Sequence, residues 1–345
     1  MSDVVDATHY DAARGEVTVR FPCGAEAILE VGHPAGPRPV VYLDQNQWIA
    51  LARSLYSPDG LDATVRDGCA ALIQLARDGS IILPLSSAHL VETSRRRGRS
   101  RHDLAMTMLQ LSRGWQMRTP LDVRQRELRA ELRRYAARPA PLPEPTPVFT
   151  LEPGALFAEG SRSADPDPEV WAARLCFVLL DDQPVPDARG RELAQLWATS
   201  HQELAAYQRA VTMPKEHVRI NARARLLGDL SLEVARAAQA ADLNQPELSR
   251  WVLEDADDSI ARMPYVGRLQ EVIWHRLSNA DERWEPNDLN DVHFLACAAA
   301  YAHVVVGERK TIEYLRRAGR RCVPGAHACR TLQEAREHLA APESS

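Results

Sequence analysis

One stretch constrains the fold of this chain more than any other: residues 40–52, which read V-V-Y-L-D-Q-N-Q-W-I-A-L-A. It begins with a short apolar run that is typical of a buried strand in a parallel sheet. Asp44 follows the run directly, and a helical pattern of apolar residues starts at Trp48. In an open α/β sheet the active site lies outside the carboxyl ends of the strands, so Asp44 stands where such a site needs a carboxylate. Asn46 is placed to cap the helix or to orient Asp44, and the alternative for Asp44 itself is a plain helix cap.

Composition excludes several classes of protein. The 345 residues are 45% hydrophobic and 26% charged, which is ordinary for a globular chain with a sizeable core. No run approaches the roughly 20 apolar residues that span a bilayer, and the N-terminal residues lack the pattern of a secretory signal, so we expect a cytoplasmic protein without a membrane partner. Its six cysteines include no C-x-x-C pair, which argues against a zinc ribbon or a disulfide scaffold. The net charge of -5 does not by itself indicate nucleic-acid binding.

The pattern of elements predicts four regions along the chain. Residues 1–38 read as a small β-hairpin appendage, and residues 39–138 alternate strands and helices as in a parallel sheet. Residues 139–280 comprise a proline-rich loop, extending to about residue 168, and then uninterrupted helical periodicity. Residues 281–345 return to strand–helix alternation. We therefore expect an α/β core sandwiched by helices, with an all-helical insertion that forms a separate module beside it.

Further strands of that core are predicted from short apolar runs. Residues 80–85 form the second candidate, residues 115–118 are the candidate for an edge strand, and residues 304–306 are a compact buried strand. Residues 322–324 are the candidate for a last short strand.

Four acidic residues share one kind of position in this pattern: Asp44, Glu92, Asp291 and Glu308. Each follows a predicted strand or opens a helix, so a parallel sheet can bring all four to one edge. Clustered carboxylates repel one another and persist with a cation between them, and oxygen ligands suit Mg²⁺ or Mn²⁺. One or two such ions can activate a water and stabilise phosphodiester cleavage, so we expect these carboxylates to come within metal-bridging reach. Asp288 lies one turn before Asp291 and is an extra ligand or, as we prefer, the helix cap.

Basic residues lie close to two of these acids. The helix predicted to carry Glu92 continues through an arginine run that can track a phosphate backbone, with a solvated charged face as the alternative. Arg309 and Lys310 beside Glu308 can reach phosphate or offset the acidic charge, and Asn46 is a further candidate contact to nucleic acid. His89 and His293 are expected to pack or bond locally, because hard cations prefer oxygen. The arginine run consists of Arg95, Arg96, Arg97, Arg99 and Arg101.

The order of these motifs resembles the PIN-domain nucleases. The matching segments are L-D-Q-N at 43–46, S-S-A-H-L-V-E at 86–92, D-V-H-F-L-A-C-A-A-A at 291–300 and V-V-V-G-E-R at 304–309. The resemblance covers roughly residues 39–135 and 286–341. It implies a PIN-like, metal-dependent nuclease fold with Asp44, Glu92 and Asp291 as metal ligands and Glu308 in support.

The chain departs from the family in two places. Glu308, after Val306-Gly307, stands where the family usually has Asp, often after Thr. The helical block within 139–280 has no counterpart in small members of the family.

Three functions follow from this pattern. The first is a Mg²⁺- or Mn²⁺-dependent endonuclease, with RNA as substrate by family resemblance, acting as a toxin or defence effector. The second is an inactive PIN-like scaffold whose helical block binds a regulatory protein or a second copy of the chain. The third is a phosphatase-type hydrolase of small phosphoesters. The full acidic set favours catalysis, because clustered carboxylates without a role only cost stability.

Overall fold

The computed structural model describes residues 4–32, 37–137, 147–157, 167–181, 188–279 and 281–341. It is a mixed α/β structure, mainly helical, with one small parallel sheet and two antiparallel sheets. In these ranges no helix is both long and apolar enough to cross a membrane. The helices are α1 (Gln45–Tyr56), α2 (Ala63–Arg77), α3 (Ser87–Ser94), α4 (Gly98–Ser112), α5 (Pro120–Tyr135), α6 (Pro168–Leu180), α7 (Ala188–Ala210), α8 (Lys215–Asp229), α9 (Ser231–Ala240), α10 (Gln245–Arg250), α11 (Ala256–Arg262), α12 (Pro264–Leu277), α13 (Asp288–Tyr301), α14 (Arg309–Ala318) and α15 (Leu332–Ala340).

The N-terminal region is a three-stranded antiparallel sheet of β1 (Ala7–Asp11), β2 (Glu16–Arg20) and β3 (Glu26–Glu30). The sequence predicted only the hairpin of β2 and β3, whose alternate residues are buried. Strand β1 escaped prediction because it lacks such alternation. It is held by pairing and by Glu169 of α6, whose carboxylate accepts a hydrogen bond of 2.9 Å from the Thr8 hydroxyl.

The central sheet is parallel, in the order β4 (Val41–Leu43), β7 (Val304–Val306) and β8 (His327–Cys329). The all-apolar composition of β4 and β7 made both predictable. The last strand is an error of the sequence prediction, because β8 lies at 327–329 and not at 322–324. Pro324 has no N–H to give to a ladder, which fits the shift.

The predicted strand at 80–85 adds to the sheet through two isolated bridges. Ile82 pairs with Val40 beside β4, and Leu85 pairs with Gln116 of β5 (Gln116–Met117). Pro84 lies between the two bridges, where the segment stops pairing beside β4 and starts pairing with β5. Strand β5 also pairs antiparallel with β6 (Phe149–Thr150), so it is not an edge strand, and the predicted loop to residue 168 contains a strand.

The sheet separates two apolar clusters, because successive side chains of a strand point to opposite faces. Tyr42 and Val305 belong to the cluster that includes helices α5, α7–α9 and α11–α14. Val41 and Val304 belong to the other, with α1–α4, α6, α15 and the N-terminal sheet. The predicted helical block therefore contributes to both faces: α6 packs on one and α7–α12 on the other. The domain boundaries themselves stay a prediction.

Candidate functional site

Asp44 lies at the carboxyl end of β4 and caps helix α1. Its backbone N–H donates to the carbonyl of Val306 at 2.9 Å, so the carboxyl ends of β4 and β7 meet at this residue. Its carboxylate accepts hydrogen bonds from the backbone N–H groups of Gln45, at 2.7 Å, and of Glu308. Burial raises the pKa of Asp44 to about 6, these hydrogen bonds oppose the rise, and the charge of Glu308 adds to it. Asp44 is thus both a helix cap and a carboxylate at the sheet edge.

Glu92 lies on α3, half-buried, six residues after the helix N-cap at Ser86. Burial raises the pKa of Glu92 to about 7, and the negative charge of Asp44 raises it further. Arg95 and Arg96 act in the opposite direction. Glu92 is therefore close enough to Asp44, Arg95 and Arg96 for their charges to act on it.

Asp291 lies in the first turn of α13 and is half-buried. Burial raises the pKa of Asp291 to about 8, and the charges of four other carboxylates act in the same direction. In order of effect those carboxylates are Asp44, Glu92, Asp288 and Glu308. The negative charges of all four carboxylates thus raise the pKa of Asp291.

Glu308 is exposed and stands at the N-cap position of α14. The side-chain amide of Asn46 donates to Glu308 Oε1 at 2.6 Å, which joins the start of α1 to the start of α14. Asn46 therefore orients Glu308, where the sequence had suggested a cap, an orienter of Asp44 or a nucleic-acid contact.

Together these four acids form the acidic cluster, defined as Asp44, Glu92, Asp291 and Glu308. Four different elements supply them, and three have a raised pKa, each partly because of another member of the cluster. Within the part of the chain that the structure describes, no three His, Cys, Asp or Glu side chains already stand at metal-binding spacing. Metal-bridging reach therefore stays a prediction. The donor set is nonetheless oxygen only, and a hard dication would stabilise the charged form of carboxylates whose pKa is raised by burial and by one another's charge.

Asp288 is held away from such a role by other bonds. Its Oδ2 accepts from Arg276 Nη2 at 2.7 Å and from the backbone N–H of Glu285 at 2.6 Å. Arg276 is buried and also pairs with buried Glu282 at 2.7 Å, which in turn binds Lys310 at 2.8 Å. Asp288 and Lys310 thus belong to an ion-pair network beside the acidic cluster.

The arginine run does not lie on one helix, contrary to the prediction. Helix α3 ends at Ser94, and α4 begins at Gly98, whose φ of 55° is left-handed. Arg101 is buried and donates to the carbonyls of Leu179, at 3.3 Å, and Ser94, at 3.4 Å, so it cannot contact nucleic acid.

Of the remaining basic candidates, three lie in the link between α3 and α4, one lies on α4 and one on α14. Arg95 is exposed beside Glu92, and its Nη1 lies 3.5 Å from Asn287 Oδ1, while Arg96 donates to Ser100 at 3.2 Å. Exposed Arg97 stands at the N-cap position of α4, and exposed Arg99 pairs with Asp103 of α4 at 3.7 Å. Arg309, also exposed, is the first residue of α14.

His89 is a buried residue that supports the acidic cluster. The backbone N–H of Ser86 donates to His89 Nδ1 at 3.1 Å, so Nε2 carries the proton and donates to the carbonyl of Leu43 at 2.9 Å. Burial lowers the pKa of His89 to about 4, which keeps the ring neutral. The ring stacks on Tyr42 at 5.3 Å. His89 thereby fixes the residue before Asp44 to the start of the helix that carries Glu92, a local role that fits the sequence expectation.

Gln45 makes a second tie of this kind, which the sequence did not reveal. Its buried side-chain amide donates to the Thr93 hydroxyl at 3.1 Å, joining α1 to α3. The two polar residues are 48 positions apart, and no local pattern marks either of them.

Comparison with known proteins gives no match: no protein-family model, no curated protein and no solved structure resembles this chain significantly.

Proposed function

We propose that this protein is a Mg²⁺- or Mn²⁺-dependent endonuclease that hydrolyses phosphodiester bonds of RNA. The observation that carries the proposal is the acidic cluster, in which four carboxylates from four elements influence one another at the carboxyl edge of a parallel sheet. Partly buried carboxylates that repel one another cost stability, so their occurrence together favours a functional role. The resemblance of the four motifs to PIN-domain nucleases supports the same conclusion.

Asp44, Glu92 and Asp291 are the residues that would hold the ion. A bound divalent cation would lower the pKa of a water molecule and would neutralise the charge that develops on the phosphoryl oxygens. Two backbone N–H groups fix the carboxylate of Asp44, and His89 and Gln45 fix the elements around it. The ligand geometry is therefore supported by bonds that do not depend on the ion.

Glu308 has a different part in the proposal. It is more exposed than the three proposed ligands, and Asn46 holds its Oε1. We assign Oε2 to accept a proton from water, which is general-base catalysis by a positioned carboxylate. Arg95 and Arg96, whose charges reach Glu92, lie where a phosphate backbone would approach the cluster.

The test compares two aspartates that cap helices. Purified protein is incubated with labelled single-stranded RNA or DNA and Mg²⁺, Mn²⁺ or EDTA, and internal cleavage is followed on gels. Asp44→Asn keeps a capping side chain but removes the charge, so we expect cleavage to fall at least about 100-fold with the fold intact. Asp62→Asn is the matched control, because Asp62 caps α2 away from the cluster and accepts from Thr64 N at 2.9 Å.

The outcomes are distinct. RNA cleavage that needs a divalent ion and is lost only in Asp44→Asn supports the proposal. DNA cleavage without RNA cleavage overturns the substrate. Cleavage that persists in EDTA or in Asp44→Asn overturns the metal mechanism, and no cleavage by the wild type with either ion favours the scaffold function.

A further inference from the structure

A cleft lined by more cationic than acidic side chains lies on the helical block, outside the acidic cluster. Its volume is about 460 Å³, within the range of small-molecule sites. Three elements and the segment after α14 form its walls, and we call it the α8 cleft. The lining residues are Lys215, Glu216, Arg219, Ile220, Arg223, Asp257, Trp274 and Arg321.

Arg219 is fixed in the wall of the α8 cleft. Its guanidinium forms a two-pronged pair with the buried carboxylate of Glu271, with Nη1 at 3.2 Å from Oε2. It also lies 4.9 Å from the centre of the Trp274 ring. A guanidinium held in this way is pre-organised, so less side-chain entropy is lost when it binds an anion.

The cleft carries an excess of positive charge. Lys215, which is one of the two lysines in the chain, and Arg321 are exposed and have no acidic partner among the residues that the structure describes. Arg223 pairs with Asp257 at 3.4 Å. Even with Glu271 counted, four cationic side chains face three acidic ones.

Arginine charges also act on His275, which follows Trp274 in sequence. Burial lowers the pKa of His275, the charge of Glu271 raises it, and the charges of Arg317, Arg219 and Arg321 lower it. Arg317 therefore adds to the positive charge near the cleft.

The α8 cleft is separate from the proposed nuclease site. Glu308 caps the start of α14, whereas Arg321 lies three residues beyond the end of that helix at Ala318. A helix of 10 residues is about 15 Å long, which sets the minimum scale of the separation. A ligand bound in the α8 cleft therefore occupies a different site from the acidic cluster.

We propose that the α8 cleft binds a small phosphate ester of mononucleotide size. Its cations suit a phosphate dianion, which guanidinium groups bind through paired N–H donors. The cleft is larger than phosphate alone requires, and the side chains of Trp274 and half-exposed Ile220 offer apolar and aromatic surface to a base. A nucleoside diphosphate combines both features.

The test uses the full chain and isothermal titration in EDTA, so that no divalent ion can bridge a nucleotide to the acidic cluster. The probes are ADP, pyrophosphate and a short single-stranded RNA. We expect ADP to bind and pyrophosphate to compete with it. Lys215→Gln combined with Arg321→Gln removes the two cations without acidic partners and should weaken ADP at least tenfold. Arg66→Gln combined with Arg336→Gln removes two exposed charges from α2 and α15 and is the matched control.

A second variant separates the base from the phosphate. Trp274→Leu should weaken ADP more than pyrophosphate, and Asp291→Asn should leave both unchanged. ADP affinity unchanged in the lysine–arginine variant, no ADP binding at about 1 mM, or binding of RNA without ADP would overturn the proposal. None of these results bears on whether the acidic cluster cleaves RNA.

Discussion

At the scale of single residues, the four acids of the acidic cluster could be anticipated because the carboxyl ends of parallel strands meet at one edge. The role of each neighbouring polar residue could not be anticipated, because the partner of that residue is remote in sequence. Lys310 pairs with Glu282, and Asn46 binds Glu308 across 262 positions. Local sequence shows where charged residues occur, but it does not show which of them form ion pairs with one another.

Asp291 gives a prediction about pH. Its pKa rises from 3.8 to about 8, so between those values the folded state binds more protons than the unfolded state, and stability falls as pH rises. One pKa unit corresponds to about 1.4 kcal/mol. Without divalent ions we therefore expect Asp291→Asn to be more stable than the wild type by over about 1 kcal/mol near pH 8, and nearly equal near pH 4.

Urea unfolding of both proteins at a series of pH values measures this difference. Asp44, with a pKa of about 6, and Glu92, with a pKa of about 7, titrate while Asp291 is still protonated, so the variant should leave their contribution to the pH dependence nearly unchanged. Adding Mn²⁺ should stabilise the wild type and not the variant. A variant that is less stable than the wild type in EDTA at high pH would show that burial and the neighbouring carboxylates do not raise the pKa of Asp291.

At the scale of elements, the strands that were predicted correctly have a pattern of their own: β4 and β7 are fully apolar, and β2 and β3 bury alternate residues. Strands β1 and β6 have no pattern of their own and exist through pairing with their neighbours. The arginine run was assigned to one helix because arginine is a good helix former, but Gly98 divides it. Arg95 and Arg96 are the members of the run whose charges are shown to act on Glu92 of the acidic cluster.

This division predicts which arginines guide nucleic acid. In an Asp44→Asn background that leaves RNA intact, Arg95→Gln with Arg96→Gln should flatten the salt dependence of RNA binding by roughly 0.7 per lost phosphate contact. Arg66→Gln with Arg99→Gln removes the same charge from other helices and should leave the slope unchanged. Fluorescence anisotropy at several salt concentrations measures both. Equal slopes for the two variants would assign Arg95 and Arg96 to a solvated face.

The break at Gly98 also has a measurable energy. A Cβ at this position meets no atom within 4 Å, so the cost of Gly98→Ala comes from the left-handed backbone alone. We expect a loss of about 1 kcal/mol in the free energy of unfolding. Gly228→Ala has equally open surroundings but lies in helix α8, so it should gain about 0.5–1 kcal/mol. Urea denaturation distinguishes the two signs, and a stabilising Gly98→Ala would mean that α3 and α4 can join.

At the scale of the whole molecule, the central question is whether the helical block is a module of its own. Its helices α7–α12 are continuous in sequence, which predicted a separate unit. In the structure their apolar residues share one cluster with Tyr42 of β4 and Val305 of β7. Helix α12 packs on α13 and α14, the two helices that carry Asp291 and follow Glu308. The block thus forms one wall of the sheet's own core.

Hydrogen exchange can decide between these two descriptions. Peptides that cover β4 and peptides that cover α12 should open with the same free energy and the same dependence on urea, because exposing the α12 face also exposes Tyr42 and Val305. Helix α10, none of whose residues is buried, should exchange at lower free energy and serves as the reference for local opening. If α12 exchanges together with α7–α11 while β4 stays protected, the block unfolds alone, and the module predicted from the sequence is correct. Coincident opening of β4 and α12 would instead mean that a substitution in the helical block changes the stability of the acidic cluster.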